Sequence, residues 1–426
     1  MIKELSLKNW KSFEKSTLPI ESLSVLIGAN ASGKSNILDA FLFLYRLAWG
    51  KQIVSAVNGD SELSEIRGGL DWIVRKGETE CELEVLLSSE DKDVDFRYSI
   101  KLMRINGSRF ELCAEKLESV SKKTKTLFFA ETIDSHSTVI TANFSTSTKE
   151  VFKSIEMKRS FSVLSQIETM NVRSEVKEAG ICVLENLRKI FILDPIPNNM
   201  RTYSKVSNTL QRDATNIAGV LANLPDDQKK NTEEILTEYV SHLPENDILS
   251  IWTETVGLSN SDAILCCKEQ WSENETLDID ARGMSDGTLR FLAILTSLLI
   301  VKENSLLIIE EIDNGLHPAR IEKLVSMLHE IGTKRSIYIL CTTHNPTLLE
   351  TISKASNPNV IFCYRDKIAA NSKLISLEDI PDYPELIAQG TLGDLVTQGL
   401  LENFVKNYEG TEIKKQKALA WLKSIQ

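Results

Sequence analysis

Cysteine is scarce and unordered in this 426-residue chain, with seven residues at 81, 113, 182, 266, 267, 341 and 363. No two of them stand as C-x-x-C, and no histidine accompanies them at zinc-finger spacing, so a structural zinc site of that kind is excluded. An odd number without regular spacing reads as reduced, packed thiols rather than a disulfide frame. No run of about eighteen apolar residues is present, which excludes a hydrophobic membrane helix. The opening stretch MIKELSLKNWKSF alternates polar and apolar residues and lacks a signal-peptide core. These absences point to the cytoplasm, with no membrane partner expected. Positive charge is not in excess either. The net charge of −11 argues against coating nucleic acid over the whole surface, while leaving room for a local basic patch. Nor does any apolar heptad persist over three or four repeats, so no long coiled coil is expected.

What is present is enough for a core. Apolar residues make up 42% of a chain long enough for two or three domain-sized units. The most informative stretch is SVLIGANASGKSNILDAFLF, from Ser24 to Phe43. A β-rich run leads into a glycine-containing loop ending in Gly-Lys-Ser, and Ile37, Leu38, Phe41, Leu42 and Tyr45 then repeat at helical spacing. This is a P-loop. Gly28 and Gly33 let the backbone curl with its N–H groups inward, Lys34 can reach the β and γ phosphates, and Ser35 offers a hydroxyl to Mg²⁺. The following helix, from about Asn36, adds its positive end to the anion site.

Residues 2 to 8 and about 18 to 27 read as strands joined by the polar link NWKSFEKS. On that link, Lys11 and Phe13 admit two readings: contact with nucleotide or a partner, or a solvated loop with a packed aromatic. Alternating runs from about 80 to 144 predict a β-rich lobe, and the pattern from about 148 to 190 turns helical. Lysines at 122, 123, 125, 149, 153 and 158, with Arg159 nearby, could touch phosphates or simply form a solvated face. The apolar run in RKIFILDPIPNNMR, 188 to 201, is broken by Pro195 and Pro197 and marks a return to the main sheet or a hinge. A mostly helical lobe is expected over 213 to 256.

The run SLLIIEEIDNGLHP, 305 to 318, is a buried strand ending in carboxylates, as a second nucleotide-site strand requires. Glu310 would help hold Mg²⁺ and Glu311 would orient or deprotonate the attacking water. Ser285, Asp286, Gly287 and Thr288 open a strongly apolar helix. Ser285 can cap it, leaving either a second anion-binding helix end, usable by the nucleotide of another copy, or a capped core helix. The strand 336 to 341 runs into Thr342, Thr343 and His344, and a histidine at that strand end beside a phosphate site could read the γ-phosphate.

In this order the motifs GANASGKSN, SDGT, LLIIEEIDNGLHP and TTHNP resemble the Walker A, signature, Walker B with D-loop, and switch-histidine motifs of ABC-type ATPases. The nearer likeness is to RecF-like and OLD-like AAA-family ATPases, whose N-terminus is similar to KNWKSFEKSTLPIESLSVLIGANASGKSNILDAF. The resemblance runs from Lys11 to His344, with little of it over 104 to 190. It implies an α/β P-loop ABC-type ATPase head with a mixed sheet, a β-rich N-terminal lobe and a helical lobe. The division that follows is an N-terminal ATPase lobe over 1–103, a β-rich then helical insertion over 104–190, and a helical lobe over 191–288. A C-terminal ATPase lobe over 289–365 and a helical tail over 366–426 complete it.

The resemblance further implies ATP and Mg²⁺ as cofactors, held by Gly28, Asn30, Gly33, Lys34, Ser35 and Asn36, with Ser35 and Glu310 on the metal. Glu311 is the implied catalytic base and His344 the γ-phosphate switch. Ser285, Gly287 and Asp313 to His317 would act across a head-to-tail homodimer or higher homo-oligomer. Three departures stand out: Glu310 where an aspartate is usual, SDGT without a second glycine, and no convincing Q-loop, Gln52 being near the P-loop helix in an unpersuasive context. Relatives of this kind serve in DNA repair and anti-phage defence, so the expected activity is ATP hydrolysis driving a DNA-associated or defence switch. About sixty residues after Tyr364 are too few for a nuclease domain, which points to a separate effector, a nuclease or toxin, and possible DNA contact. A transporter ATPase subunit and a weakly hydrolysing scaffold or sensor are the alternatives.

Overall fold

The computed structural model describes residues 1–89, 91, 93–105, 109–132, 137–147, 151–243, 247–354, 359–366, 369–380, 386–388 and 390–407. The chain begins with the hairpin β1 (Ile2–Trp10) and β2 (Phe13–Pro19), then β3 (Leu23–Ile27), which feeds the helix Lys34–Ala48. Six strands follow: β4 (Glu80–Ser88), β5 (Asp95–Ile105), β6 (Arg109–Val120), β7 (Lys125–Glu131), β8 (Val139–Ser145) and β9 (Phe152–Lys158). After the helix Ser174–Arg188 come β10 (Ile190–Leu193), the short β11 (Ser204–Lys205), and the antiparallel β12 (Ile248–Val256), β13 (Asp262–Ser272) and β14 (Glu275–Asp280). The helix Asp286–Ile300 leads to β15 (Leu306–Ile309), the helix Pro318–Lys334 to β16 (Tyr338–Thr343), and β17 (Asn359–Asp366) pairs with β18 (Asn371–Ser376).

One mixed sheet organises the fold, in the order β10-β15-β16-β3-β17-β18-β2-β1-β4-β5-β6-β7-β8-β9. From β10 to β17 the pairing is parallel; from β2 to β9 it is antiparallel. The sequence explains the difference. β4 buries Cys81, Leu83, Val85 and Leu87 and leaves the intervening glutamates at the surface, the alternation of a sheet covered on one side. β3 and β15 are buried at every position. Leu306 and Ile308 join the core beneath the helix Lys34–Ala48, while Leu307 and Ile309 join the core of the helices Asp286–Ile300 and Pro318–Lys334. The parallel strands are thus covered on both faces, and their carboxyl ends all open toward one side.

Several expected boundaries move. The stretch 148 to 190, read as helical, contains β9, because Ile155 and Met157 alternate on one face and pair with β8, while Phe152 on the other face meets Phe129 of β7 at 5.2 Å between ring centroids. The helical lobe expected over 213 to 256, and assigned to 191–288, keeps its helices Ile217–Ala222 and Asp226–Ser241 but gives its second half to β12, β13 and β14. ILSIWTETV carries β-branched residues whose pairing with β13 outweighs local helical character. The division at 103/104 falls inside β5, which pairs along its length with β4 and, with one register shift between Lys101 and Leu102, with β6. The tail after 366 includes β18 before the helices Leu392–Thr397 and Leu400–Asn407, and residues 408–426 lie outside the described residues. All seven cysteines are free. Among the described residues no helix is long and apolar enough to cross a membrane.

Candidate nucleotide site

The P-loop closes between β3 and the helix Lys34–Ala48 by three left-handed or extended-positive turns, Gly28 at φ 148°, Ala31 at φ 63° and Gly33 at φ 120°. The glycines are obligatory. A Cβ at Gly28 would stand 2.1 Å from the Cys363 carbonyl oxygen, and one at Gly33 2.6 Å from Ser372 Oγ. Lys34 is buried and donates from Nζ to the loop carbonyls of Gly28 at 2.6 Å and Ala29 at 3.1 Å. Burial lowers its pKa, against the opposing fields of Cys363, Glu311 and Glu310. Asn30 is exposed at the loop apex, and the buried Ser32 Oγ has no hydrogen-bond partner among the described residues. Asn36 is turned to the hairpin: Nδ2 donates to Ser12 Oγ at 2.7 Å, and its carbonyl accepts from Trp10 Nε1.

Ser35 Oγ donates to Glu310 Oε1 at 2.8 Å, joining the loop to the end of β15 across 275 residues. A hydroxyl and a carboxylate at this separation form an oxygen-only donor pair suited to Mg²⁺. Glu310 is held at the sheet edge by its N–H to Leu193 O, 3.1 Å away. Glu311 is strained at φ 46°; its N–H donates to Thr342 Oγ1 at 2.8 Å, and Asn314 Nδ2 approaches Oε2 at 3.4 Å. His344 lies just past β16 and is exposed. Gly28, Asp194, Glu310 and His344 therefore all follow the carboxyl ends of neighbouring parallel strands, the place where open α/β sheets bind ligands.

Two arginines that local reading passed over complete this centre. Arg67 Nη1 donates to Glu310 Oε1 at 2.8 Å and Nη2 to the Ser35 carbonyl at 3.0 Å; Arg212 Nη2 donates to Glu310 Oε2 at 3.1 Å. Burial pushes the Glu310 carboxyl up, but Arg67, the Ser35 hydroxyl and Arg212 outweigh it and the pKa falls below its ordinary value. Asp194, in contrast, is raised, first by burial and then by the charge of Glu310. Asp194 had a readable signal: IFILD ends a buried strand in a carboxylate, as LLIIEE does. Arg67 and Arg212 had none, for they stand in polar turns. Gln52 is exposed ahead of the helix Ile53–Asn58, whereas Asp194 ends the strand beside that of Glu310.

Lys11 faces inward. Its Nζ lies 2.7 Å from Asp39 Oδ2, both side chains nearly fully buried, and Phe13 is core. Of the basic cluster, Lys122, Lys123, Lys153 and Lys158 are exposed, Lys125 pairs with Glu175, and Lys149 lies outside the described residues. Arg159 is fully buried, bonding the Leu112 and Ser137 carbonyls, and is no surface cation.

The residues expected to serve a second copy gather elsewhere. Ser285 caps the helix Asp286–Ile300 by accepting from Thr288 N at 3.1 Å. Gly287 lies against the turn after β15, where a Cβ would stand 2.9 Å from Gly315 O. Ser285, Gly287, Thr288, Gly315, His317 and Arg320 line a pocket of about 390 Å³ that contains no P-loop residue. Asp313 is buried with Oδ1 unpartnered among the described residues, so in that turn Asn314, Gly315 and His317 form the exposed surface.

Residues 23–160 and 204–350, more than half of the chain, match the family described as "AAA domain, putative AbiEii toxin, Type IV TA system". The chain belongs to this family, of the ABC-type, RecF-like P-loop ATPases. It is 33% identical over 97 residues to the DNA replication and repair protein RecF of Bacillus cereus (strain G9842), a match covering 21% of this chain and 24% of that protein. The same protein of Bacillus thuringiensis (strain Al Hakam) is 32% identical over 97 residues, with the same coverage. The chain thus matches about a quarter of the length of these curated relatives. Among solved structures, the SMC head bound to the C-winged helix domain of ScpA is similar in fold, with a TM-score of 0.50 and 15% identity over 88% of this chain and 97% of that one. The SMC head domain from Thermotoga maritima aligns over 88% of this chain and 98% of its own at a TM-score of 0.43 and 12% identity.

Proposed function

We propose that the protein is an ATP-hydrolysing switch in which two copies close head to tail around ATP, hydrolysis parts them, and the change is passed to a DNA-associated partner. The observation that carries this reading is the 2.8 Å bond from Ser35 Oγ to Glu310 Oε1, which unites the phosphate loop with a carboxylate strand from the far half of the chain. Lys34 would leave the Gly28 and Ala29 carbonyls for the β and γ phosphates. Ser35 and Glu310 would hold Mg²⁺, whose charge offsets that building on the transferred phosphoryl group. Glu311, fixed through its N–H to Thr342, would take a proton from the attacking water. His344 would sense the γ-phosphate from the end of β16.

The second half of each site would come from the other copy, through Ser285, Gly287 and the turn carrying Asp313. Two features support this: the capped N-terminus of a 15-residue helix, and its opening into a pocket with no phosphate loop of its own. The RecF relatives, named for DNA replication and repair, support a DNA-associated role. In our reading the effector, a nuclease or toxin, is a separate protein, and repair and anti-phage defence are the two settings that fit.

Glu311→Gln tests the composite site. With ATP and Mg²⁺ this variant should accumulate as a dimer by size exclusion with light scattering, at a hydrolysis rate about 10²- to 10⁴-fold lower. A variant that stays monomeric under saturating ATP overturns the head-to-tail model.

A further inference from the structure

Glu310 is gripped by two arginines of unequal hold. Arg67 is anchored on its far side, Nε and Nη2 both donating to Asp39. Arg212 is not: apart from Glu310 its nearest carboxylate is Asp194 at 4.0 Å, and its buried Nε has no hydrogen-bond partner among the described residues. Both Glu310 oxygens are engaged, Oε1 by Ser35 and Arg67 and Oε2 by Arg212. A divalent cation taken up by this carboxylate therefore competes with the guanidinium groups, and Arg212 is the one free to yield.

Arg212 does not move alone. Its carbonyl accepts from Asp194 N at 2.8 Å, the Asp213 carbonyl accepts from Ile196 N at 3.0 Å, and the Asp213 carboxylate accepts from Asn199 Nδ2 at 3.1 Å. The short helix Pro197–Met200 then ends at Arg201. Arg201 Nη1 donates to the carbonyls of Ala281 at 3.0 Å and Met284 at 2.6 Å, while Nη2 pairs with Asp286. A cross-bonded ladder thus runs from the Glu310 carboxylate to both sides of Ser285. We propose that Arg212 is a displaceable clasp: uptake of Mg²⁺ with nucleotide at Glu310 releases it, and the ladder 194–201 with 212–213 then resets the Ser285 loop that a second copy uses. This rests on the nucleotide reading above.

The full-length protein, titrated with ADP in the presence and absence of Mg²⁺, tests the clasp by calorimetry and by hydrogen exchange over 281–288. In the wild type, Mg²⁺ with ADP should speed exchange over 281–286. In Arg212→Gln that exchange should be fast already and insensitive to Mg²⁺, and apparent Mg²⁺ affinity should rise about tenfold, within the usual range of coupling between sites. Arg201→Gln cuts the far end of the ladder: the exchange response should vanish while Mg²⁺ affinity stays at the wild-type value. If Arg212→Gln binds Mg²⁺ and responds like the wild type, or if Arg201→Gln retains the response, the clasp is wrong and the nucleotide site stands. A wild-type protein that binds no ADP in either condition removes both.

Discussion

Arg67 donates to Glu310 Oε1 at 2.8 Å while its opposite edge is held by Asp39, 3.1 Å from Nη2. Asp39 lies on the P-loop helix and also receives the ammonium of Lys11 from the hairpin turn, with 6% and 3% of the two side chains exposed. One buried carboxylate thus anchors the hairpin, the P-loop helix and the arginine that touches Glu310.

Asp39→Ala should therefore be costly. It strands the Lys11 ammonium, whose pKa burial already lowers against the pull of Asp39, and frees the inner edge of Arg67. Removing one partner of a buried pair typically costs about 3–5 kcal/mol, which urea unfolding should register. A loss below about 1 kcal/mol, the level of a surface pair, would mean that water relieves Lys11.

Replacement of Gly28 by Ala places a methyl group 2.1 Å from the Cys363 carbonyl at φ 148°. The backbone strain alone should lower stability by about 1–3 kcal/mol, and nucleotide affinity should fall with the distorted loop. Gly50→Ala is the control: it meets no atom within 4 Å at φ 76°, so thermal unfolding should show a loss of only about 1–2 kcal/mol from the left-handed backbone. Equal effects at both positions would show that the contact with β17 is unimportant.

Lys34→Ala removes the cation that the loop holds ready beside Gly28 and Ala29. At about 1.5–3 kcal/mol per charge-assisted hydrogen bond, loss of two such bonds to phosphate should weaken ATP binding by at least ~100-fold in equilibrium titration. Unchanged affinity would sink the phosphate-loop assignment.

The Glu310 carboxyl predicts an acid-side dependence of stability. Its folded pKa lies below the ordinary 4.5, so the folded state binds its proton less readily than the unfolded chain. The stabilisation is full above the unfolded value and is lost as pH falls through the folded one. Urea midpoints of the wild type and Glu310→Gln should differ at pH 7 and converge below pH 4.5. A gap that is constant with pH would mean that the carboxyl titrates alike in the folded and unfolded chain, and that the arginines do not lower its pKa.

The parts of the site that could be read locally are those whose chemistry is local. A glycine loop needs its turns where Gly28 and Gly33 stand, and the carboxylates of Glu310 and Glu311 sit where a strand buried on both faces first meets solvent. Capping by Ser285 is likewise a matter between neighbours, since its hydroxyl satisfies the N–H of Thr288 three residues on. Where the pattern was ambiguous, partners decided: β9 and β12 are strands because β8 and β13 offer open ladders, although their own residues tolerate a helix.

Sequence alone thus determined the phosphate loop, the carboxylates that follow β15 and the α/β character of the head, because these depend on turn geometry and on which runs must be buried. Only the tertiary structure decided what surrounds Glu310. Arg67 stands 243 residues away along the chain and Arg212 98, and both are polar side chains in turns that any solvated loop could carry. Electrostatic attraction is blind to sequence separation, so their pairing is decided where the parallel strands bring their carboxyl ends together.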